Sequence, residues 1–149
     1  MIVQLAQKGG FCFGVRRALD AAQQEAGRNP RGLFTFGPII HNPQVVEQLE
    51  GQGVMVCEQP EAMPAGATVV IRSHGIGPQY YERFARRQLH VVDATCPFVR
   101  RIQLKAESCA DAGVPVIIVG EAQHPEVVGI VGWSKGQAYV IHSLEEVDR

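Results

Sequence analysis

At 149 residues, with 46% hydrophobic and 19% charged side chains, the chain has the balance of one globular domain, or one and a part, and not of a disordered segment. Its formal net charge of −1 offers no basic field for nucleic acid, and no apolar run approaches the ~20 residues that span a bilayer. The start, MIVQLAQKGG, lacks the basic end and long apolar core of a signal peptide, so a cytoplasmic protein with no nucleic-acid or membrane partner is expected, its four cysteines reduced.

Met1–Leu5 reads as a first strand. Gly9-Gly10-Phe11-Cys12-Phe13-Gly14 follows, then Val15–Ala26, apolar at Val15, Ala18, Leu19, Ala22 and Ala26 with close to helical period. Glycines at such a turn permit positive φ and the close approach of a ligand. The helix N-terminus adds unpaired N–H groups and partial positive charge, a setting that favours the thiolate of Cys12. Two readings of this loop stand side by side: a ligating or reactive Cys12, or a phosphate cradle with an incidental cysteine. The GxGxxG fingerprint is absent.

Further along, most of the apolar, β-branched runs are followed by a helical pattern. Leu33–Phe36 leads through His41-Asn42-Pro43 into a helix over Pro43–Leu49, and Val54–Cys57 is the next strand. Thr68–Arg72 leads past His74 and Gly77-Pro78 into Pro78–Arg87. His90–Asp93 leads through Cys96-Pro97 into Pro97–Ala112. Pro115–Val119 leads through His124-Pro125-Glu126 into Pro125–Trp133, and Ala138–Ile141 is the last strand. Proline suits a first helical position, where its missing N–H would have no partner. Strand–helix alternation predicts βαβ units and a mostly parallel sheet. The continuous apolar runs Val69-Val70-Ile71 and Val116–Val119 predict strands covered on both faces. In such a sheet the strand-to-helix turns share one edge, where ligands bind. Cys12, His41, His74, Cys96 and His124 are therefore expected together.

Three imidazoles beside helix N-termini suit an anion. They also suit zinc, although the HExxH spacing is missing, and a third reading is three unrelated histidines. Glu126, in a first helical turn, reads as a dipole complement or as a proton donor. Asp93 is expected to hydrogen-bond near Cys96. Cys57 and Cys109 read as small core residues, and no CxxC pair is present. His90 and His142 read as structural. The pairs Arg16-Arg17, Arg86-Arg87 and Arg100-Arg101 read as solvated helix faces. Ser143-Leu144-Glu145-Glu146 is a capping-box pattern that predicts a helix start. The natural protein is therefore expected to continue beyond Arg149.

Taken in order, GFCFGVRRALD, PIIHNPQVVEQL, VVIRSHGI, VVDATCPFV and EAQHPEVVG resemble the 4-hydroxy-3-methylbut-2-enyl diphosphate reductase (LytB/IspH) family through the whole chain. The resemblance implies an α/β fold of repeated βαβ units with mostly parallel sheets. It implies part of a three-domain trefoil around a cavity that holds an iron–sulfur cluster of the 4Fe-4S type. A first α/β domain is expected over 1–96 and an incomplete second over 97–149, with no third. The family removes the allylic hydroxyl of a five-carbon diphosphate reductively. The products are isopentenyl and dimethylallyl diphosphate, in the last step of the non-mevalonate isoprenoid pathway. By this resemblance Cys12 and Cys96 are cluster ligands, His41, His74 and His124 bind the diphosphate, and Glu126 delivers the proton that lets the hydroxyl leave as water. A ferredoxin- or flavodoxin-like partner supplies electrons. The family's third cysteine ligand and its downstream Ser and Asn residues have no counterpart here, so the chain alone is expected to be inactive. The alternative is a redox-silent diphosphate-binding module built on the same three histidines.

Overall fold

The computed structural model describes residues 2–147 except 5, 8 and 29–31. Helix α1 (Phe13–Arg28) comes first, then β1 (Leu33–Phe36), α2 (Pro43–Gly51), β2 (Val54–Cys57), β3 (Thr68–Ile71), α3 (Gln79–Arg86) and β4 (His90–Asp93). The second stretch is α4 (Pro97–Asp111), β5 (Val116–Val119), α5 (Pro125–Trp133) and β6 (Ala138–Ile141). Strands β2-β1-β3-β4 form one sheet and β5-β6 another, and every pairing is parallel.

The four-stranded sheet is covered on both faces, with alternate residues feeding two cores. Leu33 and Val70 point with Val54 into a core closed by Ala18, Leu19 and Ala22 of α1 and Leu49 of α2. Phe34, Phe36, Val69 and Ile71 point the other way, against Met63, Phe84 of α3 and Leu89. Because β3 is central and sandwiched, Val69, Val70 and Ile71 are all 0% exposed.

Strand β5 departs from the expectation that both its faces are covered. Ile117 is 68% and Val119 79% exposed, because α4 and α5 shield one face of a two-stranded sheet and leave the other open. The strand expected at the N-terminus is not seen at residues 2–4, and positions 1 and 5 lie outside the described residues. At the other end, Ser143 caps only a single 3-10 turn, Leu144–Glu146, without a side-chain cap bond. The Glu146 carboxylate instead accepts from the backbone N–H of His142 at 2.7 Å, one residue earlier than a capping box requires. Among the described residues no helix is long and apolar enough to cross a membrane.

Strand order decides where a site belongs. In β2-β1-β3-β4 the chain winds outward in opposite directions from β1 and β3, so the crevice at this sheet's carboxyl edge opens between those two strands. His41 follows β1 and His74 follows β3.

Candidate functional site

Three histidines meet at that crevice. The His41 and His74 ring centroids lie 5.2 Å apart, His74 and His124 5.7 Å, and His41 and His124 6.5 Å. One ring nitrogen from each falls within 4.8 Å of the others. They arrive from three separate turns. His41 directly precedes Asn42, whose side-chain oxygen accepts the Val45 N–H at 3.2 Å and caps α2. His74 rides a tight turn closed by Gly75 N–H to Arg72 O at 3.0 Å, and Gly75 holds φ +68°, a conformation suited to glycine. His124 caps α5, and its Nδ1 accepts the Glu126 N–H at 3.3 Å. That bond leaves Nε2 to carry the proton in the neutral ring and to face outward as a donor. Glu126 is half-buried in the first turn of α5.

His74 is half-buried, and its Nδ1 has no hydrogen-bond partner among the described residues. Burial, then the Arg72 guanidinium and the two neighbouring imidazoles, pushes its pKa down to about 4 from an ordinary 6.5. In the unfolded chain the group takes up its proton near 6.5, so between pH 6.5 and about 4 the unfolded state binds more protons. Stability contributed by neutral His74 is therefore lost as pH falls through that window. Urea-unfolding midpoints should rise with pH there, more steeply in the parent than in His74→Gln. Equal slopes in the two proteins would rule His74 out as the source.

The thiols stand at helix starts. The carbonyl of Cys12 accepts the Arg16 N–H at 2.9 Å as α1 begins, and that of Cys96 accepts the Arg100 N–H at 2.9 Å as α4 begins. Cys12 is exposed and Cys96 half-buried, and both are free thiols. Their helices touch at Gly14: a Cβ there would stand 2.7 Å from the Cys96 sulfur. The Cys96 N–H donates to Ser73 O at 2.9 Å, so the thiol turn is bonded to the residue beside His74. Asp93 holds this turn in shape. Its carboxylate accepts the Thr95 N–H at 2.9 Å, the Thr95 hydroxyl at 2.5 Å and the Tyr81 hydroxyl at 2.7 Å. Burial and that carboxylate push the Tyr81 phenol well above its usual range.

Cys57 lies on β2, at the sheet edge opposite β4, and donates to Gln59 O at 3.3 Å. Cys109 lies far along α4. Both are half-buried, and neither caps a helix as Cys96 does. His90 and His142 are exposed and sit outside the triangle.

The model of the LytB protein family matches residues 3–149. The chain belongs to the LytB family. It is 49% identical over 149 residues to the 4-hydroxy-3-methylbut-2-enyl diphosphate reductase of Geobacter sulfurreducens, covering 100% of this chain and 52% of that protein. The reductase of the same name from Geotalea daltonii is 47% identical over 146 residues, covering 98% of this chain and 51% of that one. A solved structure of the Plasmodium falciparum E-1-hydroxy-2-methyl-but-2-enyl-4-diphosphate reductase superposes with a TM-score of 0.92 at 27% identity, over 96% of this chain and 45% of that one. A second, described as (E)-4-hydroxy-3-methyl-but-2-enyl diphosphate reductase, the terminal enzyme of the non-mevalonate pathway, gives 0.83 at 41% identity, over 95% and 51%. The chain thus spans about half the length of the LytB-family relatives it matches.

Residues to which the sequence motifs gave no role at the site pack against its turns. The arginine pairs are not simply solvated faces. Arg17 donates to Thr95 O at 2.8 Å and Asp93 O at 3.3 Å, bracing the Cys96 turn, and Arg100 stacks 4.2 Å over the Trp133 ring. Gly14 and Gln103 are likewise packed against site turns. The signal they share is position: each lies within a turn or two of a helix start that carries a site residue.

Proposed function

We propose that this chain supplies one part of the active site of a 4-hydroxy-3-methylbut-2-enyl diphosphate reductase, binding the allylic diphosphate through His41, His74 and His124. The observation that carries this reading is the triangle of imidazoles, together with the backbone bond from the Cys96 N–H to the carbonyl of Ser73, the residue before His74. Diphosphate oxygens accept from imidazole N–H groups.

Cys12 and Cys96 suit two positions on a 4Fe-4S cluster: thiolates are the ligands such clusters take, and Gly14 lets α1 close onto the Cys96 sulfur without an intervening side chain. When bound, the cluster would pass on two electrons received singly from a ferredoxin- or flavodoxin-like protein. Glu126 donates the proton with which the allylic hydroxyl departs as water. The C–O bond breaks, the two electrons enter the allyl group, and a second proton at carbon yields isopentenyl or dimethylallyl diphosphate. With Cys57 on the edge strand β2 and Cys109 far along α4, neither stands at a helix start as Cys12 and Cys96 do, so this chain alone holds an incomplete ligand set and is inactive by itself. Residues 1–96 and 97–149 fall in two α/β domains of a larger assembly in this reading.

Joining this chain to the C-terminal half of the Geobacter sulfurreducens relative provides the test. Under anaerobic conditions with a reduced ferredoxin, the chimera should convert the allylic diphosphate and the 149-residue chain should not. Cys12→Ser or Cys96→Ser should remove the visible absorption of the cluster, and Glu126→Gln should cut turnover while substrate still binds. A folded chimera that binds inorganic pyrophosphate, acquires no iron and reduces nothing would establish the redox-silent binder instead. Stoichiometric zinc that is lost when any of the three histidines is replaced would favour a metal at the triangle.

A further inference from the structure

Gln103 is a fully buried polar side chain whose situation the reading above leaves unexplained. It lies in the middle of α4, is 0% exposed, and its Nε2 has no hydrogen-bond partner among the described residues. A buried amide donor left unpaired is destabilising, so an apolar residue would serve plain packing better.

What surrounds it is the site. A Cβ on Gly75, the residue after His74, would stand 2.4 Å from Gln103 Nε2 and 2.9 Å from Thr95 Cγ2. A Cβ on Gly129, one turn beyond Glu126 in α5, would stand 3.2 Å from the same Nε2 and 3.8 Å from His74 O. The Gln103 amide therefore occupies the seam between the His74 turn and the helix capped by His124. Both walls are glycine where it passes. Arg100 donates to Gln103 Oε1 at 3.4 Å and stacks on Trp133, whose indole N–H donates to Ile76 O at 2.9 Å. Side chains of α4 and α5 thus grip the two residues that follow His74.

We propose that Gln103 is a positioning residue: it spaces the His74 turn from α5 and so sets the separation of His74 from His124. The wedge acts through length and shape. Its consequence for anion binding rests on the diphosphate reading above, but the spacing itself does not.

The test is NMR of the histidine side chains in the unliganded chain, followed by titration with inorganic pyrophosphate. Gln103→Ala should shift the His74 and His124 ring signals and weaken the through-space contact between them, with His90 and His142 unmoved and unfolding still cooperative. Pyrophosphate affinity should fall about tenfold, equivalent to ~1.4 kcal/mol. Gln103→Met, which keeps the length without the amide, should restore the ring contact and most of the affinity. Gly129→Ala should perturb the same signals in the parent and have no further effect in Gln103→Ala, because the atom it presses on is gone. Ring signals and contact unchanged in Gln103→Ala, or Gln103→Met as impaired as Gln103→Ala, would overturn the proposal. Parent protein that ignores pyrophosphate while its ring contact responds to Gln103→Ala would sink the diphosphate reading alone.

Discussion

Replacing any one of His41, His74 and His124 by alanine is expected to weaken binding of inorganic pyrophosphate by roughly tenfold to a hundredfold. A hydrogen bond to a charged group contributes about 1.5–3 kcal/mol, and each ring brings one such donor to a shared point. His74 should lie at the upper end, because it is half-buried and the bond it offers forms away from bulk water. His124→Ala also removes the cap on the Glu126 N–H, so part of its loss arises from a frayed first turn of α5. His124→Asn should recover that part, since asparagine caps a helix but cannot reproduce the imidazole. Isothermal calorimetry at low salt reads these differences directly. Affinities within twofold of the parent in all three alanine variants would remove the anion reading from this triangle.

Phe84→Ala is expected to lower the free energy of unfolding by about 3–5 kcal/mol, a large fraction of the ~5–15 kcal/mol of an ordinary domain. Phe84 is 0% exposed, its ring meets Phe36 edge-on at 5.2 Å, and it closes the core against Met63, Val69 and Ile71. Its backbone carbonyl also accepts the Leu89 N–H at 3.1 Å, where the chain turns toward β4. Removing the ring leaves a cavity beneath β3, the strand that delivers His74. Equilibrium unfolding in urea should show an earlier midpoint with little change in slope. A loss below ~1 kcal/mol would mean that the core collapses into the space and that Phe84 is not its keystone.

Much of this architecture is legible in the sequence because its signals are local. A proline after a capping residue marks the start of α2, α4 and α5. The Val69-Val70-Ile71 run announces a strand buried on both faces. The same signal misleads at Val116–Val119. An apolar run records which face a strand could bury, and whether neighbours cover it depends on elements far along the chain. The meeting of His41 and His74 was readable from parallel topology, since every carboxyl end of a parallel sheet faces one way, whereas His124 comes to them from the separate β5-β6 sheet, whose placement no local signal records. Arg17, Gln103 and Trp133 were not readable, because their roles come from the angle at which α1, α4 and α5 lie on that edge. Gly14 carried a partial hint as one of three glycines near Cys12, but its partner sulfur lies on another helix.

The open two-stranded sheet bears on how the site holds together in time. Among the described residues strands β5 and β6 pair only with each other, and α5, which carries His124 and Glu126, is strung between them. Two paired strands have little stability of their own. Protection from solvent exchange should therefore run along a gradient, deepest in β3 and shallowest in β5 and β6. The third imidazole and the carboxylate ride on the unit that opens most readily, while the other two imidazoles stand on the rigid sheet. An anion bridging all three ties the loose unit to the firm one, so occupancy of the site and closure of β5–β6 become a single coupled equilibrium.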